Sequence, residues 1–581
     1  MRRDFKNLHW FQLCVFLTSV QQIFGQYPNF GIQINLPGLG AVRGSSDVTA
    51  WSGAKFYQFL GIPYGETTAG RNRYKPPIPK RPWSGVLDAT FAKPGCPTAA
   101  FTHREDGGDI EDCLHLSVYS KNQAGSFPVM VVLNGEMYFE TARSRQPPNY
   151  LMEKDIVLVV PQFRTGILGF LSTRTVDIPG NAGVFDAAEA LLWVSRYIRF
   201  FGGDPERITL VGQSAGAVIA HVLSISPKIP SGLFHQLILQ SGTALSPIVI
   251  RKEPLKYSEN LAQFLLCPGG NDLLEINRCL IETPVKDLTE MSSIMMVLYD
   301  SETPDNIGVK LTIGDTHDLL PEKPSELIKT SKKYPLMAGT TAHDGMFVFD
   351  DEYMVMVYSE RKKNESYIAY NLLDDLLERF GIEDTTGALK GILRQKLVSQ
   401  YQMSEADFYS MIPDLVDMAG IITMKIPILR TAQINAKDQP KNTFLYSFNY
   451  EGEYTRFGYG DNKDNVPYDG GVCHNDENIY LFPYPDYAAH LNDADTTMAR
   501  TMIDLWTSFV ETGKPSAYGF PSWPPMSKRN GPYVRINRKS WIDPDYTTDF
   551  YKAVSDARAG EGILRPENKD KMFHIQFVVR K

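Results

Sequence analysis

One short segment constrains this chain more than any other: Gly212-Gln213-Ser214-Ala215-Gly216. It follows a β-branched run, Arg207–Val211 (RITLV), and precedes Ala217–Ser224, an apolar stretch that reads as a helix. A strand that turns sharply into a helix at a serine lifts the hydroxyl above a sheet and points the helix N-terminus at it. Glycines two before and two after the serine let neighbouring backbone approach without a Cβ in the way. The bare pattern G-x-S-x-G arises by chance about 0.2 times in a chain this long. The flanking strand and helix therefore carry the inference, against the plainer reading of a tight structural turn with a surface serine.

The rest of the chain fits a sheet built by alternation. Pro128–Leu133 (PVMVVL) and Ile156–Val160 (IVLVV) are continuous apolar runs of strand length. Asp186–Phe201 carries Trp193, Val194, Tyr197 and Ile198 at helical spacing and stops at Gly202-Gly203. Gln236–Gln240 and Thr443–Phe448 read as later strands. Strands alternating with helices predict an α/β fold with a mostly parallel twisted sheet, flanked by helices on both faces. No internal repeat or linker-like stretch divides the sequence, so residues 26–581 are expected to form a single domain.

The N-terminus has the grammar of a secretory leader. Arg2, Arg3 and Lys6 precede an apolar run, Phe11–Val20, and a small residue, Gly25, follows. The run is shorter than the roughly 20 residues that span a bilayer. Residues 1–25 are therefore expected to be a signal peptide, the mature chain secreted, with no membrane anchor. Of six cysteines, Cys14 leaves with the leader. Two local pairs suggest themselves, Cys96–Cys113 and Cys267–Cys279, which an oxidising compartment permits. Cys473 is then left as a free buried thiol. Asn364-Glu365-Ser366 is a glycosylation sequon. The net charge of −8 and the absence of a Lys/Arg block argue against a nucleic-acid partner. No C-x-x-C pair or histidine cluster implies a metal, and no cofactor is expected. Nothing in the sequence sets an oligomeric state.

The stretch Phe201–Gly216 (FGGDPERITLVGQSAG) resembles the serine signature of type-B carboxylesterases, and Glu111–Tyr119 (EDCLHLSVY) resembles the second signature of that family. Gly61-Ile62-Pro63-Tyr64, Leu168–Leu171 and Pro179-Gly180-Asn181 fit the same frame, and the likeness runs from about Gly40 to about Trp541. The resemblance implies an α/β-hydrolase fold, closest in flavour to secreted insect carboxylesterases and juvenile hormone esterase-like proteins, and it matches the two disulfide pairs above. It also implies a Ser–acid–His order. Ser214 is the nucleophile. Asp344, in Gly339–Gly345, takes the place where the family usually has Glu. His474, in Gly471–Glu477, takes the place of the base. Spacing alone does not select His474 among ten histidines; the resemblance does. The adjacent His343 is less suited to be the base, and Asp476 and Glu477 are expected to be structural or solvent-facing.

One place breaks the pattern. After the strand PVMVVL the family usually carries His-Gly-Gly-Gly and an aromatic residue, whereas this chain has Asn134-Gly135-Glu136-Met137-Tyr138. The oxyanion donors implied by the resemblance are the backbone N–H groups of Ala215, Glu136 and Met137. Losing one such donor costs about 10²–10³ in rate. Gln213 stands where cholinesterases carry Glu, and the Cys96–Cys113 loop holds no Trp. Both point to an uncharged carboxylic ester, with lipid-like esters among the options, cleaved through an acyl-enzyme on Ser214 and slowly if the altered loop weakens the oxyanion hole. The alternative is a catalytically silent secreted binding or adhesion protein on the same scaffold.

Overall fold

A computed structural model describes residues 31–98, 102, 108–135, 147–270, 272–299, 308–349, 364–382, 386–400, 405–455, 471–483, 491–559 and 563. The expected signal peptide and the positions Glu136 and Met137 lie outside the described residues.

Among the described residues eleven strands form one sheet: β1 (Ser45–Val48), β2 (Lys55–Pro63), β3 (His115–Ser120), β4 (Phe127–Asn134), β5 (Val157–Pro161), β6 (Gly203–Gln213), β7 (Gln236–Gln240), β8 (Leu336–Thr341), β9 (Thr443–Phe448), β10 (Tyr533–Ile536) and β11 (Trp541–Asp543). Their order is β11-β10-β9-β8-β7-β6-β4-β5-β3-β2-β1. The seven central strands from β10 to β5 pair parallel. β11 at one edge and β3, β2 and β1 at the other pair antiparallel. The expected mostly parallel sheet is therefore present, with antiparallel flanks.

Period-two alternation explains why the central strands read as unbroken apolar runs. In β4, Val129, Val131 and Leu133 enter one core, while Met130 and Val132 enter the other. Both faces are covered, so both sets of side chains are apolar. The first core is closed by α1 (Ala182–Tyr197) and α2 (Ala215–Ile225), the second by α4 (Asp493–Thr512). The remaining helices that matter here are α3 (Glu405–Gly420) and α5 (Lys552–Ala559).

Two boundaries differ from the sequence reading. α1 begins at Ala182 rather than Asp186, and its last turn, Ile198–Phe201, tightens to a 3₁₀ helix before left-handed Gly202. The early start follows from Asn181, which sits in the left-handed region at φ 60°. Its side chain donates to the Thr312 carbonyl at 2.8 Å and accepts from the Thr312 N–H at 2.9 Å. The second boundary is β6, which extends from Gly203 to Gln213, beyond Arg207–Val211 at both ends.

Both expected disulfides are present, Cys96–Cys113 and Cys267–Cys279, and the buried Cys473 belongs to neither. The buried pair Arg73–Glu111 joins their two regions. Its guanidinium holds the carboxylate at 2.6 and 2.9 Å and donates to the carbonyls of Ile281 and Thr283, just past Cys279. Among the described residues no helix is long and apolar enough to cross a membrane.

Candidate active site

The GQSAG segment forms the turn the sequence implies. β6 ends at Gln213, α2 starts at Ala215, and Ser214 between them takes φ 54°, ψ −123°. A non-glycine residue held there stores strain that its surroundings must oppose. The Ser214 N–H donates to the Gln240 carbonyl at 2.8 Å, fixing the turn to β7. The glycines are needed for close approach rather than for dihedral freedom. A Cβ on Gly216 would lie 2.0 Å from the Leu133 carbonyl oxygen, and one on Gly212 2.4 Å from Ala217 Cα.

Asp344 and His474 come together from loops 130 residues apart. His474 Nδ1 lies 2.6 Å from Asp344 Oδ1. The other carboxylate oxygen accepts from Ser241 Oγ at 2.7 Å and from the Thr341 N–H at 3.3 Å. Asp344 is fully buried, and three donors from three segments satisfy its charge. Since Asp344 accepts from Nδ1–H, Nε2 is left as the basic nitrogen. The ring of Phe347 stacks on His474 with centroids 4.8 Å apart.

Ser214, the expected nucleophile, directly follows the residue that meets this ring. Gln213 Nε2 sits 3.4 Å from His474 Nε2. Among the described residues Ser214 Oγ makes no hydrogen bond to His474 in this resting arrangement. Resting hydrolases commonly tighten that contact only with substrate bound. Ser214, Ser241 and Asp344 all follow the carboxyl ends of parallel strands, where open α/β sheets place their ligands.

Of the expected oxyanion donors, Ala215 occupies the first position of α2. Glu136 and Met137 lie outside the described residues. Asn134 pairs in register with Gln213 at the end of β4. Gly135 packs directly on the turn: a Cβ there would sit 2.2 Å from the Gly216 nitrogen and 2.7 Å from Ala215 Cβ.

Several groups that shape the site were not singled out by sequence reading. Ser241 and Phe347 are two. Lys425 is a third, at the end of a π-helix, Ile421–Lys425. Its buried ammonium donates to the carbonyls of Ala342 and Asp549 at 2.8 and 2.5 Å, anchoring the loop that carries Asp344. A π-turn next to a site is itself a signal, though one visible only in coordinates. Ser241 could have been sought from its place at the carboxyl edge of β7.

Asp476 and Glu477 are not solvent-facing. Asp476 accepts the Cys473 N–H at 2.9 Å and the Cys473 thiol at 3.2 Å. Glu477 is fully buried, and burial first, then the Asp344 charge, push its pKa up to about 8. A neutral Glu477 leaves Asp344 as the charged partner of His474. Between the ordinary value near 4.5 and about 8, the folded state keeps a proton that the unfolded chain has lost. Stability from this group is complete below 4.5 and falls as pH rises towards 8. Glu477→Gln, neutral at every pH, removes that loss. Its stability relative to the parent is expected to rise between pH 5 and pH 8 by on the order of a few kcal/mol. Denaturant unfolding at the two pH values checks this, and parallel curves for the two proteins would contradict it.

The sequence profile of the Carboxylesterase family matches residues 31–553. Glutactin of Drosophila melanogaster is 29% identical over 538 residues, 89% of this chain but 51% of that protein. The chain thus spans about half the length of that relative. Esterase FE4 of Myzus persicae is 28% identical over 86% of this chain and 88% of its own length. Juvenile hormone esterase of Tribolium castaneum is 29% identical over 83% and 84%.

Proposed function

Because this chain belongs to the carboxylesterase family, we propose that it is a secreted serine esterase cleaving an uncharged carboxylic ester through an acyl-enzyme on Ser214. One observation carries the reading: the 2.6 Å contact between His474 Nδ1 and Asp344 Oδ1, set beside the strained turn at Ser214. Asp344 fixes the tautomer that leaves Nε2 free to take the Ser214 proton. Ser214 Oγ then attacks the ester carbonyl, and His474 returns the proton to the departing alcohol. Water repeats the sequence on the acyl-enzyme. The Ala215 N–H, at the N-terminus of α2, faces the developing oxyanion. A neutral substrate is supported by Gln213, whose amide stands beside His474 and carries no charge to offer a cation.

Secretion is supported by the basic-then-apolar N-terminus and by the two disulfides. Asn364 is our proposed glycan acceptor. It is exposed, and its side-chain oxygen caps a helix by accepting the Tyr367 N–H. Secreted protein is expected to migrate faster after glycosidase treatment, and Asn364→Gln to remove that change. Identical migration before and after treatment would count against the assignment.

The esterase reading is tested with a fluorophosphonate probe and p-nitrophenyl butyrate, using Ser214→Ala as control. Labelling and turnover that vanish in the mutant are the expected result. A folded parent protein that neither labels nor turns over would overturn it. The second reading, a silent binding scaffold, is favoured by one feature, Asn134-Gly135-Glu136-Met137 where the family usually has His-Gly-Gly-Gly.

A further inference from the structure

Directly behind the Asp344–His474 couple lies a second histidine and carboxylate that the reaction does not use. His343 is buried, with its side chain 5% exposed. Its backbone N–H donates to the Val472 carbonyl at 2.9 Å, and the Val472 N–H donates back to His343 Nδ1 at 3.0 Å. These two bonds join the acid loop to the histidine loop, two residues before His474. An isolated parallel bridge, His343 to Cys473, marks the same register. Because Nδ1 accepts, the ring proton is on Nε2, which lies 3.0 Å from Asp556 Oδ2 on α5. Gly471, at φ 53°, lies against the ring, and a Cβ there would fall 2.3 Å from His343 Nδ1.

The far end of this chain of contacts is also fixed. Asp556 pairs with Lys552 one turn earlier on α5. Burial alone would raise the Asp556 pKa, but His343 and Lys552 outweigh it and hold the carboxyl below its ordinary value. Asp417 of α3 accepts the Ala553 and Val554 N–H groups at 3.0 and 2.9 Å, which docks the start of α5. Lys425 thus anchors the acid loop through Ala342 and Ser241 anchors it through Asp344, while His343 ties it both to Asp556 and, beside the Asp344–His474 contact itself, to the loop of the base.

We propose that the His343–Asp556 couple sets the register between the two catalytic loops, making His343 a positioning residue for proton transfer at His474. The inference rests on the esterase reading. Catalytic geometry must be held to within about 0.5 Å, and a misplacement near 1 Å costs about 100-fold. Two reciprocal bonds at His343 are the direct link that holds His474 Nδ1 against Asp344. Leucine at this position would fill the space and remove the acceptor. Asparagine would leave space but keep an oxygen where Nδ1 stands.

The test compares His343→Leu and His343→Asn in the full chain, after thermal melting shows which are folded. On p-nitrophenyl butyrate, His343→Leu is expected to lose about 10- to 100-fold in kcat with KM changed less than about 3-fold. His343→Asn is expected to recover most of that loss. If His343→Leu does not fold, Asp556→Ala takes its place, with a smaller loss, about 3- to 10-fold, in kcat alone. The low-field proton resonance between His474 and Asp344, read in the resting protein, is expected to shift in whichever variant loses kcat. Asparagine behaving worse than leucine, or Asp556→Ala leaving kcat and the resonance unchanged, would overturn the proposal in favour of simple packing. The resonance needs no turnover. An inactive parent protein would sink the esterase reading while the resonance still decides the role of His343.

Discussion

Asp344→Asn is expected to lower kcat by about 10⁴-fold while leaving the fold and KM nearly unchanged. The reason lies in what faces each carboxylate oxygen. Asp344 Oδ1 accepts from His474 Nδ1, and Oδ2 accepts from Ser241 Oγ and the Thr341 N–H. A carboxylate suits both sides because it only accepts. An asparagine has one accepting and one donating end. The Thr341 N–H can only donate, so it draws the amide oxygen to its side and turns the amide nitrogen towards His474. His474 Nδ1 must then accept, the ring proton moves to Nε2, and the atom that should take the Ser214 proton already carries one. Asp344→Glu keeps the charge and the acceptor-only chemistry, and is expected to retain far more activity than Asp344→Asn despite the crowding of an extra methylene in a fully buried site. Steady-state kinetics on one small ester, with the fluorophosphonate labelling rate alongside, measure both variants. An Asp344→Asn enzyme within about 10-fold of the parent would mean that a different group orients the base.

The order of those effects bears on what a sequence alone can give. The turn at Ser214 and the central strands were legible because their signals are local. Period-two burial on both faces leaves unbroken apolar runs, and the backbone contacts at Gly212 and Gly216 leave room only for glycine. Asp344 and His474 were reached through resemblance, since no periodicity ties a loop after β8 to one 130 residues on. The groups that hold them are further still from local reading. Ser241 lies 103 residues from Asp344, and Asp556 lies 213 from His343. Each is a single polar side chain whose meaning depends on a distant partner. The same holds for the early start of α1, set by Asn181 reaching Thr312 across 131 residues. Asp476 and Glu477 show the limit from the other side. Two adjacent acids left a structural role and a wet surface both open, and only the fold decides, turning both inward, one onto the Cys473 N–H and the other into full burial.

The proposed oxyanion region is where this sequence departs from the usual pattern, and Gly135 is its surviving glycine. Gly135→Ala is expected to reduce turnover by about 10²- to 10³-fold and to destabilise the protein by about 1–3 kcal/mol. The added methyl would stand 2.2 Å from the Gly216 nitrogen and 2.7 Å from both the carbonyl carbon and Cβ of Ala215. All of these belong to the first turn of α2, and none is the end of a flexible side chain. Relief requires the end of β4 and the start of α2 to move apart, and that shift carries the Ala215 N–H away from the place proposed for the oxyanion. Gly391 supplies the control. It lies exposed in the helix Ala388–Gln400 with open space around its Cβ position, so Gly391→Ala adds the same methyl without a contact. That change is expected to be neutral or stabilising by up to about 1 kcal/mol, because alanine favours the helix. Comparing the two by kcat and by thermal melting separates geometry from bulk. If Gly135→Ala melts lower but hydrolyses esters at the parent rate, the contact between β4 and the turn is structural only, and Ala215 is not held by it. If turnover falls while fluorophosphonate labelling is slowed in proportion, the surviving glycine maintains the donor geometry that the altered sequence around it still supports.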